Sequence, residues 1–342
     1  MDGALRQLVL GREATLEPFH LTDWRAAGPG LSCLSPEAGD TVEGGLLRPS
    51  PEDHDRLTFY GMPFSLQLGQ IPGTDLWAFM NSGQGEDSPA APSALHLAAL
   101  KDHMSKFGRL PAQLAARFYP QSLQRAASNL RAAANPSPRG LRQGGGALRI
   151  ETQVLPYRGF FDVAEYDLRY PRFDGSYSGV TTRAAFVMAD AVTVLPYDPI
   201  HDRVMLVEQF RMGAYMRGDP LPWTLEPIAG RIDADEPPED CARREALEEA
   251  GLSLGRLIPV ANYYPSAGAV TEYIYSFIGL ADLPLSSAGT GGLADEEEDI
   301  RAHIVSFEAA MEMLDRGEIE IAPLILSLLH LARIRDRLRA GA

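Results

Sequence analysis

The C-terminal part of this chain predicts an α/β domain in which a mixed sheet lies between helical layers. Three features carry that reading. Strand-like runs come first, an acidic helix follows, further strands come next and two helices close the chain, an order that buries its apolar faces best as a layered sandwich. The acidic helix is framed by its own start and stop residues, Pro237-Pro238 and Gly251. A stretch rich in Gly and Pro, Asn135-Pro136-Ser137-Pro138-Arg139-Gly140 through Gly144-Gly145-Gly146, sets this part off from what precedes it. At 342 residues, with 45% hydrophobic and 23% charged side chains, the chain has the length for two domains and an ordinary globular composition.

Residues 1–93 carry short apolar runs broken by Gly and Pro, such as Leu46-Leu47 after Gly44-Gly45 and Phe64 to Leu68. They predict a small β-rich domain with few helices. From Ser93 the pattern turns helical: Ser93 caps a helix from Ala94 to Phe107, closed by Gly108, with Leu95, Leu97, Leu100, Met104 and Phe107 as its apolar stripe. Further helical stretches follow Pro111 and Pro120, so 94–134 reads as a helical connector and 135–147 as a linker. Arg109, Arg117, Arg125 and Arg131 read as a solvated helix face, the commoner arrangement for such a run. In the domain at 148–342, Phe161 to Tyr170 alternates as a strand, Asp174-Gly175 marks a turn, and another strand approaches Arg183. Strands at 191–195 and 204–207 meet through Tyr197-Asp198-Pro199. Beyond the acidic helix, 273–278 and 303–305 read as strands, and 307–316 and 322–339 as helices.

A formal charge of −15 argues against a nucleic-acid-binding surface and repels anionic substrates, so a phosphorylated substrate would need bound cations or a local Arg cluster. Cys33 and Cys241 lie far apart without the spacing of a zinc site or a disulfide framework. They suit a reducing cytoplasm, the location expected here. No stretch approaches membrane-spanning length, so neither membrane nor nucleic acid is expected as a partner.

On the acidic helix, Glu245 and Glu249 stand four residues apart and share a face, with Glu248 alongside. Three carboxylates on one patch repel unless a positive charge lies between them, and a hard cation such as Mg²⁺ takes such oxygen ligands. Around them Gly230, Glu236, Arg244-Glu245, Glu248-Glu249 and Gly251 keep a fixed spacing: Gly, five residues, Glu, seven residues, Arg-Glu, two residues, Glu-Glu, one residue, Gly. The segment resembles the Nudix box without a gap, with Ala246 smaller than the usual aliphatic, and the likeness extends over 148–342.

Within that superfamily the chain is most similar to ADP-ribose pyrophosphatases. The residues that carry this are Tyr157-Arg158-Gly159-Phe160-Phe161, Phe173-Asp174-Gly175, Leu195-Pro196-Tyr197-Asp198-Pro199, Val207-Glu208-Gln209-Phe210-Arg211, Glu226 before Ala229-Gly230, and Leu293 through Ile300. The resemblance implies a Nudix α/β/α sandwich and Mg²⁺-dependent hydrolysis, with Mn²⁺ as a substitute, of the diphosphate bridge of a nucleoside diphosphate sugar. ADP-ribose, giving AMP and ribose 5-phosphate, is the favoured substrate. It also implies residue roles. The Ala229 carbonyl, Glu245, Glu248 and Glu249 hold metal, and Glu298, with Glu296 second, acts as general base. Arg183, Arg211 and Glu226 bind substrate, Arg244 orients a helix carboxylate, and Glu236 orients the loop. A homodimer that exchanges strands of 148–180 is implied as well. Around Arg183, Ala184 and Met188 stand where a glutamate and an arginine are usual; a second departure bears on the substrate, since the residues Ser266-Ala267-Gly268 stand where Ser-Pro-Gly is usual. It leaves GDP-mannose or another nucleotide sugar as the alternative substrate. A non-catalytic nucleotide-sugar sensor acting through the N-terminal domain is the alternative of a different class.

Residues 1–93 resemble the gamma-glutamylcyclotransferase-like (AIG2-like) family at Leu8-Val9-Leu10-Gly11-Arg12, Val42-Glu43-Gly44-Gly45-Leu46-Leu47 and Leu57-Thr58-Phe59-Tyr60. The family's Tyr-Gly-Thr-Leu loop is missing, and Gly61 stands where its catalytic carboxylate follows the tyrosine. The expectation is an inactive domain kept as scaffold or docking surface. The two-domain order is similar to that of bacterial proteins named for tellurite resistance.

Overall fold

The computed structural model describes residues 3–14, 16–27, 33–47, 49–71, 77–80, 93–136, 138, 140–292 and 298–341, with 19–46 as backbone only. Two compact units share the chain. The first comprises Met1–Leu148, Val154–Val163 and Tyr170–Ser178, and the second Arg149–Gln153, Ala164–Arg169 and Gly179–Ala342.

The first unit begins with α1 (Gly3–Leu10), β1 (Glu17–Ala27), β2 (Cys33–Leu46) and α2 (Pro51–Gly61). After a 3-10 turn at Met62–Phe64 come β3 (Gln67–Gln70), β4 (Trp77–Met80), α3 (Ala94–Met104), α4 (Ala112–Arg117) and α5 (Tyr119–Ala134). The strands form one sheet in the order β1-β2-β4-β3. Leu5 and Val9 of α1, Leu57 and Phe59 of α2, Leu100 and Met104 of α3 and Ala126 of α5 belong to a single core.

Two helices thus stand in the N-terminal stretch read as β-rich. The reason for α2 is local: Ser50 Oγ accepts from the Asp53 amide at 3.2 Å while Asp53 Oδ2 accepts from the Ser50 amide at 2.8 Å, and Pro51 opens the first turn. The proline that reads as a strand breaker is a helix starter. α3 stops at Met104, three residues before Phe107, and the chain turns to Gly108 at φ +73°.

After α5 come β5 (Arg149–Arg158), β6 (Asp162–Arg169) and β7 (Thr181–Val187), which form a three-stranded sheet in that order. Asp167 on the central strand ties it together, accepting from Thr152 at 2.9 Å and Thr182 at 2.6 Å. The eight-stranded sheet uses β8 (Ala191–Asp198), β9 (Arg203–Phe210), β10 (Trp223–Glu226) and β11 (Ile228–Arg231), with α6 (Met212–Arg217) between β9 and β10. After α7 (Pro238–Ala250) come β12 (Leu257–Tyr263), β13 (Ile274–Leu280), β14 (Gly289–Gly291) and β15 (Ile300–Ser306), then α8 (Phe307–Asp315) and α9 (Ala322–Ala340). The order is β12-β13-β8-β9-β15-β14, with β10 on β9 and β11 on β8. β13 runs parallel to β8 and the other pairs are antiparallel, so the sheet is mixed.

Alternation splits each central strand between two cores. Val192, Val194, Met205, Val207 and Ile228 pack with Cys241, Ala242 and Ala246 of α7. Leu195, Tyr197, Val204, Leu206 and Ile278 pack with Phe307, Ala310, Leu324 and Leu328 of α8 and α9. The result is the α/β/α sandwich expected from the sequence. Among the described residues no helix is long and apolar enough to cross a membrane.

One sequence reading is corrected in the first unit. Arg125 is not on a solvated face but buried, donating to Asp102 Oδ2 at 2.6 Å. Lys106 Nζ reaches the same oxygen at 2.8 Å, and Arg158 Nη1 donates to Asp102 Oδ1 at 2.8 Å. Asp162 Oδ2 lies 3.3 Å from Arg158 and 3.6 Å from Arg125. Burial alone would raise the Asp102 carboxyl, but Arg125 and Lys106 hold it well below the usual carboxylate range.

Candidate active site

The site grows from the β11–α7 connection. β11 pairs with β8 from Ile228↔Val194 to Arg231↔Ala191, and the loop after it feeds α7. Pro237 is the N-cap, Pro238 opens the helix, and Gly251 ends it in the left-handed conformation at φ 60°. A Cβ built on Gly230 would lie 1.9 Å from Cδ of Glu245, so only glycine lets that carboxylate rest on β11. A Cβ on Gly291 of β14 would lie 2.0 Å from the carbonyl oxygen of Glu249, and one on Gly292, at φ +100°, would lie 2.9 Å from Cβ of Glu298. Three glycines therefore let β11, β14 and the approach to Glu298 close around one end of α7.

Arg244 gathers the carboxylates of the loop and helix. Its Nε and Nη2 grip both oxygens of Glu236 at 2.9 and 3.0 Å, and its Nη1 donates to Glu245 at 2.7 Å and Glu248 at 2.8 Å. Nη2 also reaches the Arg231 carbonyl at 3.2 Å. Glu236 in turn accepts from the Asp233 amide at 3.2 Å, which fixes the loop. Glu249, 2% exposed, leaves Oε2 buried without a hydrogen-bond partner.

Burial, with further repulsion from Glu248 and Glu298, pushes Glu245 up to about 7 against the pull of Arg244. Burial and repulsion from Glu245 and Glu298 push Glu249 up to about 9, against the weaker pull of Arg211 and the Ala229 backbone amide. Across the sheet, Arg211 grips Glu226 with both arms at 2.8 and 2.6 Å, and Thr224 Oγ1 donates to Glu226 at 2.6 Å. The Glu226 side chain is 7% exposed while that of Arg211 keeps 42%. This is a charge-frustrated acidic pocket with a fixed arginine beside it. A hard cation fits the donor set: it would give the Glu249 oxygen a partner and offset the burial and mutual repulsion that raise Glu245 and Glu249.

A NUDIX domain is matched over residues 188–328. The ADP-ribose pyrophosphatase of Escherichia coli strain K12 is 42% identical over 172 residues, half of this chain and 81% of that protein. The chain belongs to the Nudix hydrolase family. The GDP-mannose pyrophosphatase of Enterobacter sp. strain 638 is 35% identical over 150 residues, 44% of this Nudix chain and 76% of that protein. A solved structure titled as an ADP compounds hydrolase aligns with a TM-score of 0.46 at 18% identity, covering 57% of this chain and 97% of that one.

The fold brings Gly230, Glu236, Arg244, Glu245, Glu248 and Glu249 into one pocket, with Glu298 and Arg211 near enough to act on its charge. Ala229 sits beside it on β11, paired with Thr193. Arg183 is elsewhere in its bonding: its Nη1 donates to Thr181 Oγ1 and the Thr182 carbonyl on its own strand β7. Glu296 lies outside the described residues, as do 293–295 and 297. Sequence reasoning missed Gly291, Gly292, Thr224 and Glu272. Glu272 is half-buried and its carboxyl is raised by burial, against the pull of Arg231 and Arg211. The Gly291-Gly292 pair before an acidic run was the available signal. A second carboxylate–histidine grouping, Asp198, His201 and Asp282, has its ligand atoms within 4.8 Å of one another. Asp198 there already accepts from the Ile200, His201 and Leu283 amides and so serves the β8–β9 turn.

Proposed function

We propose that this Nudix hydrolase cleaves the diphosphate bridge of a nucleoside diphosphate sugar with Mg²⁺, and that ADP-ribose, split to AMP and ribose 5-phosphate, is the first substrate. The observation that carries this is the buried, partnerless oxygen of Glu249 on α7, within reach of the charges of Glu245 and Glu298. The names of the relatives point to the same substrate class.

Glu245, Glu248, Glu249 and the Ala229 carbonyl would hold the cation. Mn²⁺ would substitute for it. When bound, the ion neutralises phosphate oxygens and activates a water for attack on phosphorus. Glu298 accepts the proton of that water, with Glu296 as the second choice; a base must come within about 3 Å of its proton donor. Arg211, anchored by Glu226, offers its remaining donor positions to phosphate oxygens, a role that suits arginine's planar fork. Arg183 is a second phosphate contact that would have to turn away from Thr181. Arg244 fixes the directions of Glu245 and Glu248.

GDP-mannose is the alternative substrate, supported by Ser266-Ala267-Gly268 in place of Ser-Pro-Gly and by the GDP-mannose pyrophosphatase relative. Residues 1–93 serve as an inactive AIG2-like scaffold, 94–134 as connector, 135–147 as linker, and 148–342 as the catalytic domain. The chain works in the cytoplasm as a homodimer that exchanges strands near 148–180, without nucleic acid. Its domain order resembles that of bacterial proteins named for tellurite resistance.

A panel of ADP-ribose, ADP-glucose, GDP-mannose and NADH, each with Mg²⁺ and followed by released mononucleotide, tests the reading. ADP-ribose is expected to give the highest kcat/KM. A higher value for GDP-mannose reverses the substrate order, and turnover of none leaves a nucleotide-sugar sensor.

A further inference from the structure

Gln209 carries an unspent donor next to the site. It is 8% exposed, and its Nε2 is buried without a hydrogen-bond partner. At least nine in ten buried polar groups are paired, so such an atom calls for a reason.

Placement supplies one. Met205 and Val207 of β9 face the α7 layer, and strand alternation puts Gln209 and Arg211 on the same side. The carbonyl of Glu249 abuts Gly291 of β14. Gly291 pairs with Ile300, and the next residue, Arg301, pairs with Glu208, the neighbour of Gln209. The strand position of Gln209 therefore lies in the layer over which α7 ends. Glu249 leaves an acceptor there, Oε2, that is also buried and unpartnered. Thr224, opposite Gln209 across the β9–β10 pair, spends its hydroxyl on Glu226, and Glu226 is taken by Arg211. Neither relieves Gln209.

We infer that Gln209 is a positioning residue whose side-chain amide holds the Glu249 carboxylate, through one bridging water, in the direction in which Glu249 serves the divalent ion. The inference rests on the proposed metal role of Glu249. Such supporting hydrogen bonds commonly set metal affinity by 10- to 100-fold.

Mn²⁺ binding without substrate, read by the loss of the free-ion EPR signal, tests it on the full chain, on Glu249→Gln and on Gln209→Leu and Gln209→Met. The parent chain is expected to bind Mn²⁺ and Glu249→Gln to lose the site. Both Gln209 variants are expected to weaken binding about tenfold while their metal-free thermal unfolding stays at or above that of the parent, since an orphaned donor has been removed. Parent-like Mn²⁺ affinity in both Gln209 variants, with Glu249→Gln still defective, overturns the positioning role and leaves the metal site standing. Metal-free unfolding of both Gln209 variants makes the residue structural and overturns it too. No Mn²⁺ binding by the parent removes the metal reading itself.

Discussion

Gly230 decides whether Glu245 can reach the pocket at all. With a Cβ there lying 1.9 Å from Cδ of Glu245, Gly230→Ala must displace the carboxylate or bend β11. Overpacking of this kind costs about 1–3 kcal/mol. The expected outcome is a folded protein with a modestly lowered melting temperature and nucleotide release reduced by at least about tenfold. Unchanged turnover would show that Glu245 need not rest on β11. Arg244 acts at the same scale, since one planar guanidinium satisfies Glu236 with two bonds and Glu245 and Glu248 with one each, which a lysine's point charge does not reproduce.

Among the elements, α7 was legible because both its ends are written locally: Pro237-Pro238 before the first turn and Gly251 after the last. The carboxylates on it were legible through four-residue spacing. β10 and β11 were not, because four-residue strands such as Trp223–Glu226 and Ile228–Arg231 owe their existence to pairing with β9 and β8. The burial of Arg125 was illegible for a similar reason: its partner Asp102 is 23 residues away, and Arg158, which shares Asp102, is 56 residues from it. Asp102→Ala would leave Lys106, Arg125 and Arg158 short of a shared counter-charge, and breaking a buried ion pair costs about 3–5 kcal/mol. Thermal unfolding should show a transition lowered by several degrees; an unshifted curve would mean that water enters and satisfies these cations. Asp202 links the β8–β9 turn to α9, donated to by Arg335 Nε at 2.8 Å and by Tyr197 at 2.8 Å. The Arg335 hydrogen bond holds its carboxyl below the ordinary value, so its stabilisation is complete above the unfolded-state pKa and is lost as pH falls through the folded one. Asp202→Asn, which keeps the left-handed backbone at φ 56°, should therefore lose less stability than the parent between about pH 5 and pH 3 in urea titrations. Equal losses would remove Asp202 from the acid response.

For the whole molecule, a net charge of −15 and an anionic substrate class are reconciled only if cations and a fixed arginine meet at the α7 end. The α/β/α sandwich supplies that meeting point, with α7 on one face and α8 and α9 on the other. The most direct test of the central claim is ³¹P NMR of ADP-ribose incubated with Mg²⁺ and either the parent chain or Glu249→Gln. The parent should replace the two diphosphate resonances with the phosphomonoester signals of AMP and ribose 5-phosphate, and Glu249→Gln should do so at least about a hundredfold more slowly. Conversion at the parent rate by Glu249→Gln would contradict the account.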